Sequence, residues 1–363
     1  MAPTAHLNPK PMHTAAVRIP WHRTPIDRAV LAELNRRRDL RPLVDNLAQL
    51  GFLAATAALA LHAFHHWSWP LVVLTLFLHT TFAGHYGSAG HHELSHKTVF
   101  RTRWLNEFFY AIACLLNWKN GVHMRHSHGA HHRYTTHHEH ELEVVLPGDP
   151  LRWKNLLWVL TLNIPGLYGL VKQQIRWAFR RDWDKMFTAE WERRIFPPGD
   201  AHGIRSLRRF ARFTLLVHAA LLVLFIASGN WYLVVLVQLA PFANQWYRVL
   251  THSPQHIGMR PDVADWRQNT RTYIGDPISA FFYWNLQYHV EHHMYAAVPY
   301  YNLPKLREAI GWDLPIASRG LPDTWKELVA TVRRQRRDAS YFFTPPLPAG
   351  ATPYVDPDLR ATA

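Results

Sequence analysis

Two stretches of this 363-residue chain carry no Lys, Arg, Asp or Glu: 47 residues from Asn46 to His92 and 35 residues from Phe213 to Tyr247. Runs of that length constrain the fold more than any other feature, because a bilayer-spanning helix takes about 20 apolar residues and about 17 suffice. Each run has a central breaker, His65-His66-Trp67-Ser68-Trp69-Pro70 in the first and Ser228-Gly229-Asn230 in the second. Trp and Pro at such a turn also suit a membrane interface. The runs read as two helical hairpins, with spans at residues 46–65, 70–90, 211–228 and 231–249. The expected fold class is an all-α integral membrane protein with four transmembrane helices and a helical cap.

The basic residues set the orientation. Of 40 Lys and Arg, 8 precede the first hairpin, 19 lie between the hairpins, 13 follow the second, and neither hairpin turn contains one. Lys and Arg collect on the cytoplasmic side of short loops, so both termini and the central segment are expected in the cytosol. The net charge of +14 then serves topology and contact with anionic lipid headgroups. Nucleic-acid binding is set aside, since the charges are spread beside the spans and no recognition motif appears. A single Cys excludes a disulfide framework and any Cys-rich zinc or iron–sulfur site.

The chain divides into an N-terminal arm (1–45), a membrane domain (46–340) and a tail (341–363). Within the arm, residues 26–40 set Ile26, Val30, Leu31 and Leu34 against Arg28, Arg36, Arg37 and Arg38, the pattern of an interfacial amphipathic helix. Residues 104–118 and 156–171 are apolar but short, interrupted by Glu107 and by Pro165-Gly166. A spanning role for either one alone would put the histidine clusters on opposite membrane faces, so both read as in-plane or re-entrant. The polar first 40 residues give no sign of a cleavable leader. The Pro-containing stretch after Tyr341 reads as a surface arm or a disordered tail.

Histidine is the second constraint, with 26 in the chain. Three clusters have helical spacing: His92 and His96 at i and i+4, then His128, His131 and His132, and His289, His292 and His293, both at i, i+3 and i+4. Such positions share one helix face. His91, five residues before His96, points about 140° away from it on a helix, which favours His92. Neutral imidazole binds Fe, Zn, Cu and Ni, and these eight exceed the three or four nitrogens of one zinc site. Two metal ions account for them.

In this order, separated by these hairpins, the boxes resemble the membrane-bound fatty acid desaturase superfamily, which also contains alkane hydroxylases and carotenoid- and sphingolipid-modifying enzymes. The likeness runs from about Trp21 to Ala330. It includes His92-Glu93-Leu94-Ser95-His96, His131-His132-Arg133-Tyr134-Thr135, Asn269-Thr270-Arg271-Thr272 and Trp284-Asn285-Leu286-Gln287-Tyr288-His289, and continues to Leu303-Pro304. The resemblance implies two iron ions, dioxygen as co-substrate and a lipid or fatty-acyl substrate. Loss of two neighbouring hydrogens gives a double bond, whereas oxygen rebound gives an alcohol, so a hydroxylase of an alkane, terpenoid or lipid is the alternative. It also implies a further histidine after the last span: His256, before Ile257-Gly258, matches that position, although Gln255 stands where the family commonly has Glu. His252 is a weaker candidate for another nitrogen or a water contact. A substrate tunnel lined by apolar side chains is expected between the hairpins and the cap.

The other histidines have plainer roles. His62, His79 and His218 lie in apolar runs, where a polar group faces the bundle interior and finds a partner. His85, two turns before His92, could line the substrate entrance. His123, His126, His137, His138 and His140 read as a wet surface around the second box, with the His137–His140 cluster either a solvated loop or a binding loop. Glu93 and Glu291 sit inside the boxes off the ligand face, where they either hold a ligand imidazole or pair at the surface. Asn269 and Arg271 order the cap. With no dinucleotide fingerprint and no His-Pro-Gly-Gly haem signature, electrons are expected from a separate ferredoxin, rubredoxin or cytochrome docking on the basic cap. A His-rich transporter or sensor, from a different class, predicts ligands along the membrane path instead.

Overall fold

The computed structural model describes residues 17–355. It is built almost wholly from helices. After α1 (Arg28–Leu34), two 27-residue helices, α2 (Leu40–His66) and α3 (Trp69–Ser95), form the first hairpin. Ser68 precedes α3, and Pro70 fits its first turn, where a missing N–H costs nothing. Each helix is about 40 Å long at 1.5 Å per residue, so α3 outruns the apolar thickness of a bilayer and continues into the first histidine box. The expected interfacial helix over 26–40 is shorter than its pattern: α1 stops at Leu34, and Leu40 already opens α2.

Next come α4 (Arg103–Leu116) and α5 (Gly121–Tyr134), the second started by Asn120, whose side chain accepts from the N–H groups of Val122 and His123. The apolar stretch at 156–171 is two helices, α6 (Trp153–Leu160) and α7 (Ile164–Phe179). Short helices α8 (Trp183–Met186) and α9 (Glu190–Ile195) lead into α10 (Ala201–Ala227), which begins ten residues ahead of the span expected at 211–228 and ends where Gly229 turns to positive φ. By length and composition α2 and α10 are long and apolar enough to cross a membrane.

The fourth expected span is not one helix. A π-helical turn over Val234–Leu239 passes into a 3-10 turn over Ala240–Phe242, an extended residue at Ala243, and then, after Asn244, α11 (Trp246–His252). Pro241 removes a backbone donor, and Asn244 at φ 51° takes a left-handed conformation that Asn tolerates better than most residues. The break is bonded on all sides. Ala243 bridges Leu162 in the α6–α7 gap, Asn163 N–H donates to Phe242 O (2.9 Å), and Asn244 Nδ2 donates to Phe77 O (3.0 Å) and Thr81 Oγ1 (2.7 Å) on α3. A Cβ on Gly84 of α3 would lie 3.1 Å from Pro241 O, so glycine there lets the break come close.

The rest of the chain closes the polar end of α3. It comprises α12 (Trp266–Asn269), β1 (Tyr273–Ile274), α13 (Pro277–Phe282), α14 (His289–Met294), α15 (Leu303–Ile310), β2 (Ser318–Arg319) and α16 (Gly320–Gln335), with β1 and β2 pairing in parallel. The largest apolar core lies here, around Leu94, Phe109, Trp284 and Leu306. The segment 341–355, expected as an arm or a disordered tail, is bonded into this body. Arg267, fully buried between Asp265 and Asp313, donates to Thr352 O and Pro353 O, and Gln268 Nε2 donates to Val355 O.

Candidate metal centre

Four elements deliver nine imidazoles to one place. His92 lies in the last turn of α3 and His96 just beyond it; α5 carries His128, His131 and His132; α14 carries His289, His292 and His293; His256 follows α11 and the 3-10 turn Ser253–Gln255. They sort into two groups that can each hold an ion: His92, His96, His128, His132 and His292 in one, and His131, His256, His289 and His293 in the other, the ligand atoms within a group lying within 4.8 Å of one another. The second and third boxes are shared between the groups by one rule. Histidines at i and i+4 stay together, as in His128/His132 and His289/His293, while the i+3 histidine turns to the other group. On a helix those two positions lie about 100° apart.

The spacing fits a metal. His96 Nε2 and His132 Nε2 lie 3.0 and 3.1 Å from His128 Nε2, and His256 Nε2 and His293 Nε2 lie 3.1 and 3.2 Å from His289 Nε2. Nitrogens about 2.1 Å from one ion lie about 3.0–3.4 Å apart, so neighbours at these separations can share an ion. His292 Nε2 is buried with no hydrogen-bond partner, as suits a lone pair kept for an ion.

The opposite ring nitrogens are held in turn. Glu93 Oε1 bonds His92 Nδ1 (3.2 Å) and Glu143 Oε1 bonds His128 Nδ1 (3.3 Å), while Glu93 Oε1 at 3.3 Å from His292 Nδ1 and Glu141 Oε2 at 3.4 Å from His131 Nδ1 make close approaches outside hydrogen-bond geometry. His256 Nδ1 donates to Asn269 O (3.0 Å), and His293 Nδ1 meets Thr135 Oγ1 (3.2 Å). Gln255 brings its side-chain amide 3.2 Å from His289 Nδ1, where the amide oxygen, and not its N–H, is the group able to accept the Nδ1 proton of a metal-bound ring. Such contacts fix the ring and turn Nε2 inward. Glu291, the other box carboxylate, instead accepts from Arg307 Nη1 and Thr272 Oγ1, both at 2.6 Å.

Burial, reinforced by neighbouring imidazoles, holds His128, His132, His289 and His293 well below the ordinary histidine value, and lowers His96 to about 4 and His256 to about 3. These rings are neutral at pH 7, the form that binds metal. His131 alone shifts upward, because the carboxylates of Glu141 and Glu143 outweigh its burial.

Other singled-out residues fall elsewhere. His252 Nε2 meets Ser88 Oγ at 3.0 Å, and His85 packs against Tyr247 and Tyr283; neither joins a metal group, and His85 lines neither cavity that reaches the histidines. His138 is tied to Asp262 and Leu146 O, and His137 packs on Trp21, so their loop is pinned. His79 and His218 find the expected interior partners in Thr56, Leu236 O and Leu115 O. Asn269 holds His256, and Arg271 ties the loop before and after it through Pro254 O and Ile257 O. The carboxylates missed by sequence reasoning are Glu141 and Glu143, whose only signal is an acidic loop following the second box.

Two cavities reach the centre. One of about 640 Å³ touches His92, His128, His131, His256 and His289 and extends past Asn163 and Pro241-Phe242. Its lining mixes apolar Leu170, Trp177 and Phe242 with polar side chains, Lys119 and Arg248 among them. The other, about 1080 Å³, touches His132 and His293 from beside the N-terminal arm. The fatty acid desaturase family matches residues 67–323, more than two thirds of the chain and all nine histidines. This chain belongs to the fatty acid desaturase family. No curated protein matches it. Membership makes it an oxidoreductase that modifies fatty acids, in a membrane-bound, di-iron family that needs a lipid substrate and a redox partner.

Proposed function

We propose that this family member is an oxygen-dependent di-iron desaturase that places a double bond in a fatty-acyl or related lipid chain, with electrons from a separate carrier. The observation that carries the reading is the paired all-histidine centre. His92, His96, His128, His132 and His292 would hold one iron, and His131, His256, His289 and His293 the other. Iron bound there supplies the redox chemistry by which dioxygen takes hydrogen from an unactivated C–H bond. Glu93, Glu143 and the Asn269 carbonyl keep the Nδ1 protons in place and so keep Nε2 inward. The 640 Å³ cavity holds the substrate beside both groups. Its Lys119 and Arg248 suit an anionic head group, Arg248 donating to the Gln245 amide oxygen and to no carboxylate.

We place α2, α3, α10 and the broken fourth segment across the membrane, with both termini and the metal centre on the cytosolic side. Support comes from the outward apolar side chains of α3 and α10, among them Val73, Leu74, Leu216 and Val223, and from exposed Trp67, Trp69 and Trp231 at the hairpin turns. A non-helical break at membrane depth is tolerated where it lines a cavity, and Pro241-Phe242 does so.

The test is expression in a lipid-rich host beside a His128→Ala control, with profiling of lipids and measurement of bound iron. New double bonds and two irons per chain are expected. Alcohols without double bonds would move the assignment to the hydroxylase, and a purified protein without iron would end both.

A further inference from the structure

The second cavity has features a lipid site does not need. Arg18, Arg23 and Arg133 line it and, among the described residues, no Asp or Glu does, so it presents a positive surface. All three arginines are exposed. At its floor Trp21, half-buried, stacks on buried Trp266 with ring centres 4.4 Å apart and planes 8° from parallel. Trp21 Nε1 donates to Arg133 O (3.0 Å), which fixes the outer ring, and the Arg23 guanidinium lies 5.7 Å from the Trp266 ring. Trp266 Nε1 donates to Thr135 Oγ1 (3.2 Å), and the same oxygen lies 3.2 Å from His293 Nδ1. An unbroken line of stacked rings and hydrogen bonds thus joins an exposed basic surface to a histidine of the second group. The substrate cavity contacts neither His132 nor His293, so the two approaches reach the centre through different histidines.

We propose that this cavity is the docking site of an acidic one-electron carrier protein, and that Trp21, Trp266 and Thr135 form the electron route to His293. The inference rests on the proposed function, since it needs a metal centre that accepts electrons. The balance is one electron lost by each carrier and one gained by the centre, twice per turnover. Two electrons and two protons, with the two hydrogens leaving the substrate, reduce one dioxygen to two waters. Complementary charge raises the encounter rate and fades with salt. Electron tunnelling weakens steeply across empty space, which is why contiguous rings and hydrogen bonds matter.

The experiment uses the full chain in lipid nanodiscs, with and without iron, and two probes of opposite charge: an acidic [2Fe–2S] ferredoxin and a basic cytochrome c. Ferredoxin is expected to bind at least tenfold more tightly than cytochrome c, whether or not iron is present. The triple variant Arg18→Glu, Arg23→Glu, Arg133→Glu should lose that preference. In stopped flow, Trp21→Leu should bind ferredoxin normally yet slow its oxidation at least tenfold, Trp21→Phe should recover part of the rate, and dithionite should reduce every variant as fast as the wild type. Equal binding of the two probes, an unaffected triple variant, or a Trp21→Leu protein that oxidises ferredoxin at the wild-type rate would overturn the proposal. So would a Trp21→Leu protein equally slow with dithionite, because the ring would then serve only the fold. Binding is read without turnover, so a wild type that oxidises no lipid with either reductant counts against the enzymatic reading alone.

Discussion

Replacing Glu93 and Glu291 with Gln, one at a time, separates two carboxylates that look alike in the sequence. One oxygen of Glu93 bonds His92 Nδ1 and lies 3.3 Å from His292 Nδ1, beside two of the five donors in the first group, and touches none of the second. Loss of such a partner costs about 10–100-fold in metal affinity, or about 1.4–2.7 kcal/mol. Glu93→Gln should therefore release one iron early and the other at the wild-type concentration when a ferrous chelator is titrated, giving a two-step curve. Its fold should persist, because Gln keeps the shape and one acceptor oxygen. Glu291→Gln should do the reverse. Its carboxylate is fully buried against Arg307 and Thr272, and breaking a buried pair costs about 3–5 kcal/mol. The lower end applies, since Arg307 stays partly exposed and keeps its bond to Pro315 O. The readouts are chelator titration and thermal unfolding of the metal-free protein. A Glu93→Gln protein that keeps both irons at wild-type affinity, or a Glu291→Gln protein that sheds iron at unchanged stability, would refute the division of roles.

Other outcomes follow from the same geometry. His292→Ala should leave about one iron per chain and abolish turnover, while His66→Ala, outside both groups, should be nearly neutral in both assays. In the metal-free protein, burial holds His256 at about 3 against an ordinary value of about 6.5. The unfolded chain then takes up a proton that the folded one refuses, so this contribution is fully present above about pH 6.5 and is lost as pH falls toward about 3, at about 1.4 kcal/mol per pH unit. His256→Asn should flatten the pH dependence of unfolding by about one proton, and an unchanged slope would count against the shift. Gly84→Leu, built 3.1 Å from Pro241 O, should narrow the substrate cavity and lower turnover with iron content intact. Arg248→Gln should raise KM for a fatty acid and leave KM for the matching alcohol unchanged; equal effects would remove the anionic head group from the reading.

The histidine boxes were legible because helical spacing alone puts i, i+3 and i+4 on one side of a helix. Their sharing between two groups was not, since it depends on how α5 and α14 are rotated against each other. His131 and His292 cross over while their neighbours stay. Charge-free runs revealed the hairpins, but such a run does not distinguish an apolar span from a broken one. Pro241 was the only local sign, and the partners that stabilise the break, Asn163 and Thr81, come from distant segments. Nothing in the sequence marks Trp21 beyond its place at the start of the resembling stretch, because its partner Trp266 is distant in the chain. Glu141 and Glu143 gave no periodic signal because they reach His131 and His128 from a loop.

The strap from 341 to 355 changes what counts as a dispensable end. Arg267, held by Thr352 O and Pro353 O, lies two residues before Asn269, whose carbonyl steadies His256. Chains trimmed at residue 340 keep every histidine yet deprive a buried guanidinium of two acceptors beside the second group. They should lose iron from that group first. An affinity tag belongs beyond Val355, and a shortened version with weak metal content would be reporting the missing strap and not the quality of its nine imidazoles.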